Sequence, residues 1–290
     1  MGIELIALDI DGTLLDSKWR VSDANLRAIA QATERGIEVA LVTGRRFDFA
    51  RPIAQQIPSP LTLILNNGAV VKSATGETLL MHALPRAAAL RVLQAMPAFR
   101  DGTAVHFDRP RDRQVIYEHI DWNDPARRAY LERNREFLAE VFPLENCLNE
   151  PGAGDPIQVM FTGTVARMRA VTSNLGELAQ DGPAEDRFSM SLTFYEDRDF
   201  ALVDVVRAGC SKGATLAEWA AKRGIGRESV MAIGDNLNDR EMLSYAGVPV
   251  VMANSVPELK TFGWIETLSN DESGVAHAIE TYALGEVRVK

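Results

Sequence analysis

Residues 3–13 read IELIALDIDGT, and this stretch is the starting point for predicting the fold. The segment 3–9 is almost continuously apolar, which is typical of a central parallel strand that is buried on both faces of its sheet. The acidic run DIDGT (9–13) begins where that strand ends. Because open α/β sheets bind ligands at the carboxyl ends of their strands, we expect a functional site at this run.

Two parts of the chain repeat an alternation of strands and helices. In the first part, Ser22 is a suitable N-cap for a helix that ends near Gly36, and the apolar strands 37–43 and 61–65 follow. In the second part, which starts at Ser211, the predicted elements are helices at 213–223 and 238–246, strands at 230–235 and 248–252, and a last helix from about 273. This alternation predicts an α/β fold with a doubly wound, Rossmann-like parallel sheet.

The segment between these two parts has the pattern of a separate α+β domain. Its predicted elements are helices at 85–96, 125–141 and 164–180, and strands near 104 and 114 and at 157–161, 188–194 and 200–206. We therefore predict a discontinuous core domain, 1–84 and 207–290, with an inserted domain at 85–206.

Composition excludes several classes of protein. The 290 residues are 46% hydrophobic and 24% charged, as in an ordinary globular protein. A net charge of −9 without a dense basic stripe argues against nucleic acid as a partner. Cys147 and Cys210 lack the spacing of a zinc site or a disulfide framework, which favours a reducing, cytoplasmic setting. No signal peptide, membrane span or membrane partner is predicted.

Asp9 and Asp11 are the first candidate functional residues. In extended backbone, residues two apart point to the same side, so both carboxylates can converge on one ligand while Gly12 allows a sharp turn. Such a pair suits a metal ion, or a nucleophile beside a general acid/base. An Asp-rich turn with a helix cap explains these residues equally well when they are taken alone.

Two further segments offer groups that can bind an anion. Thr43 and Gly44 end a predicted strand and can supply a hydroxyl and a backbone donor to a phosphate oxygen. Lys212 lies just before a predicted helix, where the helix N-terminus and an ammonium group can hold an anion together. The alternatives are an ordinary Ser/Thr turn and an ordinary exposed lysine.

The segment GDNLND (234–239) supplies a second set of acids at a strand end. Asp235 follows the apolar strand directly and can complete a set of oxygen ligands for Mg²⁺. Asn238 and Asp239 start the next helix, where they can act as caps or support the metal site from behind. The order of these groups along the chain, each at the end of a core strand, favours a joint functional role.

This ordered set resembles the haloacid dehalogenase superfamily, and specifically its Cof-type phosphatase branch. The resemblance covers the predicted core through the motifs DIDGTLL, LVTGR, NNGA (66–69), SKG, GDNLND and LSNDESGVA (268–276). The inserted segment 85–206 is similar in position to the cap domain of that branch. One departure is Ala253, where relatives often have Gly, so that crowding of a backbone approach is expected there.

The resemblance implies a role for each candidate residue. It implies Asp9 as nucleophile and Asp11 as general acid/base. It implies Mg²⁺ held by Asp9, the backbone carbonyl of Asp11, and Asp235. The groups it places around the substrate phosphate, or behind the metal and the lysine, are Thr43, Gly44, Lys212, Asn238 and Asp239.

The acid at position 11 indicates the reaction class. Dehalogenases of the superfamily lack an acid there and its ion-pumping ATPases carry Thr, so Asp11 favours a phosphatase acting on a small phosphorylated metabolite through an aspartyl-phosphate. A sugar phosphomutase with the same acids is one alternative. A non-catalytic phosphate-sensing module, similar to a bacterial receiver domain, is another. The sequence leaves the substrate and the oligomeric state open.

Overall fold

A computed structural model describes residues 2–109, 112–125, 127–195 and 199–285. In this described part, the chain forms two compact units, one from 1–81 with 211–290 and the other from 82–210. The first unit carries all the candidate residues named above. That the inserted segment acts as a cap, with limits at 85 and 206, stays a prediction.

The elements are numbered in chain order. The strands are β1 (Leu5–Leu8), β2 (Glu38–Val42), β3 (Thr62–Leu65), β4 (Val70–Ser73), β5 (Thr78–Met81), β6 (Thr103–His106), β7 (Val115–Tyr117), β8 (Leu138–Glu140), β9 (Gln158–Gly163), β10 (Phe188–Tyr195), β11 (Phe200–Arg207), β12 (Val230–Gly234), β13 (Val248–Val251) and β14 (Ile265–Glu266). The helices are α1 (Asp23–Glu34), α2 (Phe47–Ala54), α3 (Arg86–Ala95), α4 (Arg128–Asn134), α5 (Val165–Leu178), α6 (Lys212–Lys222), α7 (Arg240–Tyr245), α8 (Pro257–Lys260) and α9 (Gly274–Ala278).

The sheet of the first unit has the order β14-β13-β12-β1-β2-β3-β4-β5. Its strands from β14 to β3 are parallel, and β4 and β5 extend it in antiparallel fashion. The strand order reverses between β1 and β12, and this is the point at which doubly wound sheets bind ligands. Sequence patterning missed β4 and β5, which have only four residues each, and β5 is in addition mostly exposed.

β1 is central because every one of its residues is apolar and fully buried. Leu5 and Ala7 belong to the same core cluster as residues of α6 and α7. Ile6 and Leu8 point to the opposite face of the sheet, as the alternation of strand side chains requires. A strand covered on both faces ends abruptly at Asp9, so this carboxylate is held at the edge of a rigid element.

The predicted helix after Ser22 is present as α1, with the expected caps. The Ser22 hydroxyl accepts a hydrogen bond from the backbone N–H of Asn25 at 3.2 Å. Gly36 follows the helix with φ +81°, a left-handed conformation that glycine adopts without steric cost.

The second unit contains an antiparallel sheet with the order β10-β11-β9-β6-β7-β8, in which only the β7–β8 pair is parallel among the described residues. α3 and α5 contribute Val92, Val171 and Leu175 to its hydrophobic core.

The helix predicted at 125–141 is wrong in its second half. α4 ends at Asn134, and Leu138–Glu140 forms β8, which pairs with β7. The segment is rich in good helix formers, but pairing with a neighbouring strand outweighs so small a local preference. Within the described residues, no helix is long and apolar enough to cross a membrane.

Candidate active site

The turn that follows β1 is shaped by Gly12 and Thr13. Gly12 has φ +79°, and a Cβ atom built on it would lie 2.4 Å from Oδ2 of Asp235. Only glycine therefore allows the carboxylate of Asp235 to approach this turn so closely. The hydroxyl of Thr13 donates to Oδ1 of Asp235 at 2.7 Å, which fixes the orientation of that carboxylate.

Lys212 lies between two of the predicted site acids. Its Nζ is 2.6 Å from Oδ1 of Asp9 and 2.6 Å from Oδ1 of Asp239. Only 1% of the lysine and 4% of Asp9 are exposed, so these charges are held out of water. A buried ammonium group needs such partners, because an unpaired buried charge is very costly. Lys212 is thus not the ordinary exposed lysine that was the alternative.

α6 places Lys212 at its first turn. Ser211 is the N-cap, and its hydroxyl oxygen accepts a hydrogen bond from the backbone N–H of Ala214 at 3.1 Å. Lys212 therefore reaches its two acids from the N-terminal, positive end of the helix.

Asp239 contacts its neighbours through both of its carboxylate oxygens. Its Oδ1 accepts from Lys212, and its Oδ2 accepts from the backbone N–H groups of Asp235 (3.0 Å) and Asn236 (3.1 Å). Both oxygens are therefore occupied. By contrast, Oδ2 of Asp9 accepts no hydrogen bond from any residue that the structure describes, so it is available for chemistry.

Crowding of carboxylates changes the protonation equilibria of the site. Burial and the carboxylate of Asp239 raise the pKa of Asp9 to about 7, although Lys212 opposes this shift. Burial and the carboxylates of Asp9 and Asp239 likewise raise the pKa of Asp235 well above its usual value. Burial disfavours the ammonium form of Lys212, but Asp239 and Asp9 outweigh burial and raise its pKa. The three pKa shifts are consistent with one another, because the single ammonium group of Lys212 is shared by several buried carboxylates.

The acids also fit a divalent cation. Carboxylate oxygens of Asp9, Asp235 and Asp239 lie within 4.8 Å of one another, and all three residues are buried. An all-oxygen, strongly acidic set suits Mg²⁺ better than a softer metal. A cation would relieve the repulsion that raises the two carboxyl pKa values. Because the carboxylate of Asp239 already accepts three hydrogen bonds, Asp9 and Asp235 are the side chains better placed to serve as ligands.

The other residues predicted to bind phosphate follow two different strands: Thr43 and Gly44 come after β2, and Asn238 comes after β12. The Thr43 hydroxyl oxygen accepts from the backbone N–H of Arg45 at 3.1 Å, which leaves its own hydrogen for a ligand. Asn238 donates through Nδ2 to Oδ1 of Asn67 at 3.2 Å, and the same oxygen would lie 3.1 Å from a Cβ on Gly44. The backbone N–H of Asn67 donates to the carbonyl of Thr43 at 3.0 Å, so Thr43, Gly44 and Asn238 all lie beside Asn67.

Asp11 has a partner that sequence reasoning missed. Its carboxylate accepts two hydrogen bonds from the guanidinium of Arg45, Nε to Oδ2 at 2.7 Å and Nη2 to Oδ1 at 2.5 Å. Neither residue type nor spacing indicated this pair. The available clue was position, because both residues follow neighbouring parallel strands at their carboxyl ends.

Two asparagines that received no role also contact the turn after β1. Nδ2 of Asn254 donates to the carbonyl of Gly12, and Nδ2 of Asn270 donates to the carbonyl of Leu15, each at 2.8 Å. The backbone N–H of Asn270 also donates to Oδ1 of Asn254 at 2.9 Å. Ala253, the predicted departure, has its carbonyl bound by Lys260 at 2.7 Å.

Comparison with known proteins gives concordant matches. A family model described as haloacid dehalogenase-like hydrolase matches residues 6–279. Phosphatase YwpJ of Bacillus subtilis is 29% identical over 295 residues, covering 96% of this chain and 99% of that protein. Pyridoxal phosphate phosphatase YbhA of Escherichia coli is 26% identical over 287 residues, covering 98% of this chain and 100% of that protein.

A solved structure supports the fold independently. A haloacid dehalogenase-like hydrolase from B. subtilis superposes with a TM-score of 0.79 at 24% identity, over 96% of this chain and 99% of that one. At this identity the likeness concerns the fold. The predicted fold class, a doubly wound α/β sheet with further α and β elements, is confirmed.

Proposed function

The chain belongs to the haloacid dehalogenase-like hydrolases, in their Cof-type branch, and from this membership we propose that it is a magnesium-dependent phosphatase acting through an aspartyl-phosphate at Asp9. The observation that carries the proposal is the environment of Asp9. One of its oxygens is bound by buried Lys212, and the other is available at the end of a central strand.

In the first half of the reaction, Oδ2 of Asp9 attacks the phosphorus atom of the substrate and the bond to the leaving oxygen breaks. Lys212 and the Thr43 hydroxyl donate hydrogen bonds to the phosphoryl oxygens, and the ammonium group offsets part of their negative charge. Asp11, which enters this step as the protonated acid, gives its proton to the leaving oxygen, which departs as an alcohol.

In the second half, Asp11 takes a proton from water, whose oxygen then attacks the same phosphorus atom. The bond from phosphorus to Asp9 breaks, and inorganic phosphate leaves. Asp11 has then regained the proton that it gave up, and Asp9 is again a carboxylate.

Asp9 and Asp235 would hold Mg²⁺, together with the backbone carbonyl of Asp11. When bound, the ion supplies positive charge to the phosphoryl group and to the crowded carboxylates. Asp235 is kept in place for this role by Thr13 and by the absence of a side chain at Gly12.

Activity should depend strictly on a divalent cation. Chelation should remove phosphate release, and added Mg²⁺ should restore it. Asp235→Asn should bind Mg²⁺ at least tenfold more weakly in calorimetric titration, in line with the roughly 10–100-fold that supporting groups of metal sites contribute. Asp23→Asn, at an exposed position in the first turn of α1, should bind Mg²⁺ normally. Full activity after exhaustive chelation would contradict metal dependence.

Gly12→Ala should lower activity about 10²-fold. The added Cβ would lie 2.4 Å from Oδ2 of Asp235 and would push this carboxylate out of place. A misplacement of roughly 1 Å in an active site costs enzymes about this much activity. Gly36→Ala is the matched control. Gly36 also has a positive φ, but nothing lies within 4 Å of its Cβ position. Both variants should lose about 1–2 kcal/mol of stability from backbone strain. Equal activities in the two variants would show that the close approach of Asp235 does not matter.

The substrate is a small phosphorylated metabolite, and we propose that the inserted segment 85–206 is the cap that selects its leaving group. A panel of sugar phosphates, nucleotides and cofactor phosphates tests this. Pyridoxal phosphate belongs on the panel, because it is the substrate that the name of the E. coli relative gives. Release of inorganic phosphate identifies a phosphatase, whereas an isomeric phosphate as product identifies a phosphomutase. Failure with every compound would refute the proposed function.

We also propose a cytoplasmic location. Cys147 and Cys210 are both buried as free thiols, and burial raises the pKa of the Cys147 thiol to about 12, which keeps it unreactive. Such cysteines are typical of proteins in a reducing compartment.

A further inference from the structure

The pair formed by Arg45 and Asp11 connects two turns of the candidate active site. Arg45 lies just after β2 and Asp11 just after β1, and the two strands are parallel neighbours. Two hydrogen bonds, at 2.7 and 2.5 Å, join the guanidinium to both carboxylate oxygens. Such a two-point contact fixes direction as well as distance, which a single ion pair does not.

Other groups hold the guanidinium of Arg45 in place. Its Nη1 donates to the backbone carbonyl of Phe49 in α2 at 3.3 Å. The ring of Trp19 lies 5.5 Å from its central carbon, within the range of a cation–π contact. The Arg45 carbonyl accepts from the backbone N–H of Asn66 at 3.1 Å. Arg45 is therefore a fixed reference point for the carboxylate of Asp11.

The two acids of the DID run have separate cations. Asp9 is paired with Lys212 in a buried setting, whereas Asp11 is paired with Arg45, and both members of that second pair are partly exposed. Each acid can thus be oriented independently of the other. A guanidinium does not give up its proton in proteins, so Arg45 itself is not an acid catalyst.

We propose that Arg45 is the positioning residue of Asp11, whose carboxylate it aims at the leaving oxygen of the substrate. The inference rests on the proposed function and extends it to the proton-transfer step. Proton transfer at the leaving oxygen then depends on Arg45 and Asp11 as a unit. Lysine cannot replace Arg45, because an ammonium group lacks the planar fork that contacts both oxygens.

The test is a double-mutant cycle with two leaving groups. Arg45→Gln, Asp11→Asn and the double variant are assayed with p-nitrophenyl phosphate and with an alkyl phosphate. Asp11→Asn should slow hydrolysis of the alkyl phosphate by about 10²–10⁴-fold, the usual contribution of general acid/base catalysis. Arg45→Gln should slow it by roughly 10–10²-fold, and Arg45→Lys should recover little of this loss.

The cycle has a distinctive expected outcome. In the Asp11→Asn background, Arg45→Gln should cost less than about twofold, because the two residues act as a unit. For phosphoryl transfer from p-nitrophenyl phosphate, whose leaving group needs little protonation, the loss in Arg45→Gln should be several-fold smaller. A purely structural role would not alter the ratio between leaving groups.

Arg20→Gln is the matched control. Arg20 also forms an ion pair with an aspartate, Asp16, at 3.1 Å, but on the exposed surface of the same unit. This variant should change neither the rates nor the ratio between leaving groups.

Other results would overturn the inference. One such result is that the rate losses of the two single variants multiply in the double variant and are equal for both leaving groups. If inorganic phosphate then also inhibits Arg45→Gln more weakly, Arg45 is a phosphate ligand. Lower thermal stability with an unchanged ratio would make it a structural residue. Inertness of the unmodified protein on the whole panel would instead refute the proposed function.

A measurement without turnover tests the pair itself. The ¹⁵Nε resonance of Arg45 should shift in Asp11→Asn and stay in place in Asp16→Asn. An unshifted resonance in Asp11→Asn would show that Arg45 does not hold this carboxylate in solution.

Discussion

Asp9→Asn should lose the phosphoenzyme completely and lower turnover by about 10⁴-fold or more, as the removal of a catalytic nucleophile does in other enzymes. The amide is nearly the same size as the carboxylate but cannot form an acyl phosphate. Rapid quenching with a ³²P-labelled substrate measures the intermediate directly, and steady-state release of phosphate measures turnover.

Asp11→Asn supplies the contrast for this experiment. It keeps the nucleophile but slows the attack of water, so label from p-nitrophenyl phosphate should accumulate on Asp9 in that variant. Activity of Asp9→Asn within tenfold of the unmodified protein, or label on another residue, would refute the assignment of the nucleophile.

Lys212→Met should lower the free energy of unfolding by about 3–5 kcal/mol, the usual cost of removing one partner of a buried ion pair. The substitution leaves Asp9 and Asp239 without their cation in a buried site that also contains Asp235. Denaturant unfolding in the absence of metal measures the loss. Activity should fall as well, because the phosphoryl oxygens lose a positive charge.

Lys222→Met, at the other end of α6, is the control. The Lys222 side chain is half-exposed, and its Nζ lies 3.9 Å from Oε1 of Glu218. Its removal should therefore lower the free energy of unfolding by no more than about 1 kcal/mol. Adding Asp239→Asn to Lys212→Met should recover part of the lost stability, because one unpaired carboxylate is removed. An unchanged midpoint in Lys212→Met would show that the buried pair does not stabilise the fold.

Much of the fold could be predicted because its signals are local. Continuous apolar residues mark β1, Ser22 and Gly36 delimit α1, and these features depend only on near neighbours in the sequence. The structure differs from the prediction where pairing between segments that are distant in the sequence determines the secondary structure. Leu138–Glu140 becomes a strand because β7 lies beside it, although its own residues favour a helix.

The candidate site shows the same division. Asp9, Asp235 and Lys212 could be chosen because each residue follows or precedes an element with a clear signal, and the structure brings them together. Their roles as nucleophile, metal ligand and phosphate ligand stay predictions. The contacts made by Arg45 and Asn254 were not predicted, because a side chain that reaches across to another turn leaves no local pattern in the sequence. For Arg45, the available clue was its position after the strand next to β1.

The strand order of the first unit has a consequence for synthesis of the protein. Leu5 pairs with Glu38 on one side of β1 and with Val230 on the other. At translation rates of roughly 5–20 residues per second, the second neighbour of β1 is made on the order of 10–40 s after the first. During that interval a wholly apolar strand has an open edge, which is the kind of surface that nascent-chain chaperones protect. Lys212 and Asp235 also arrive late, so an interrupted ribosomal product carries Asp9 without the lysine and the second aspartate of the candidate site.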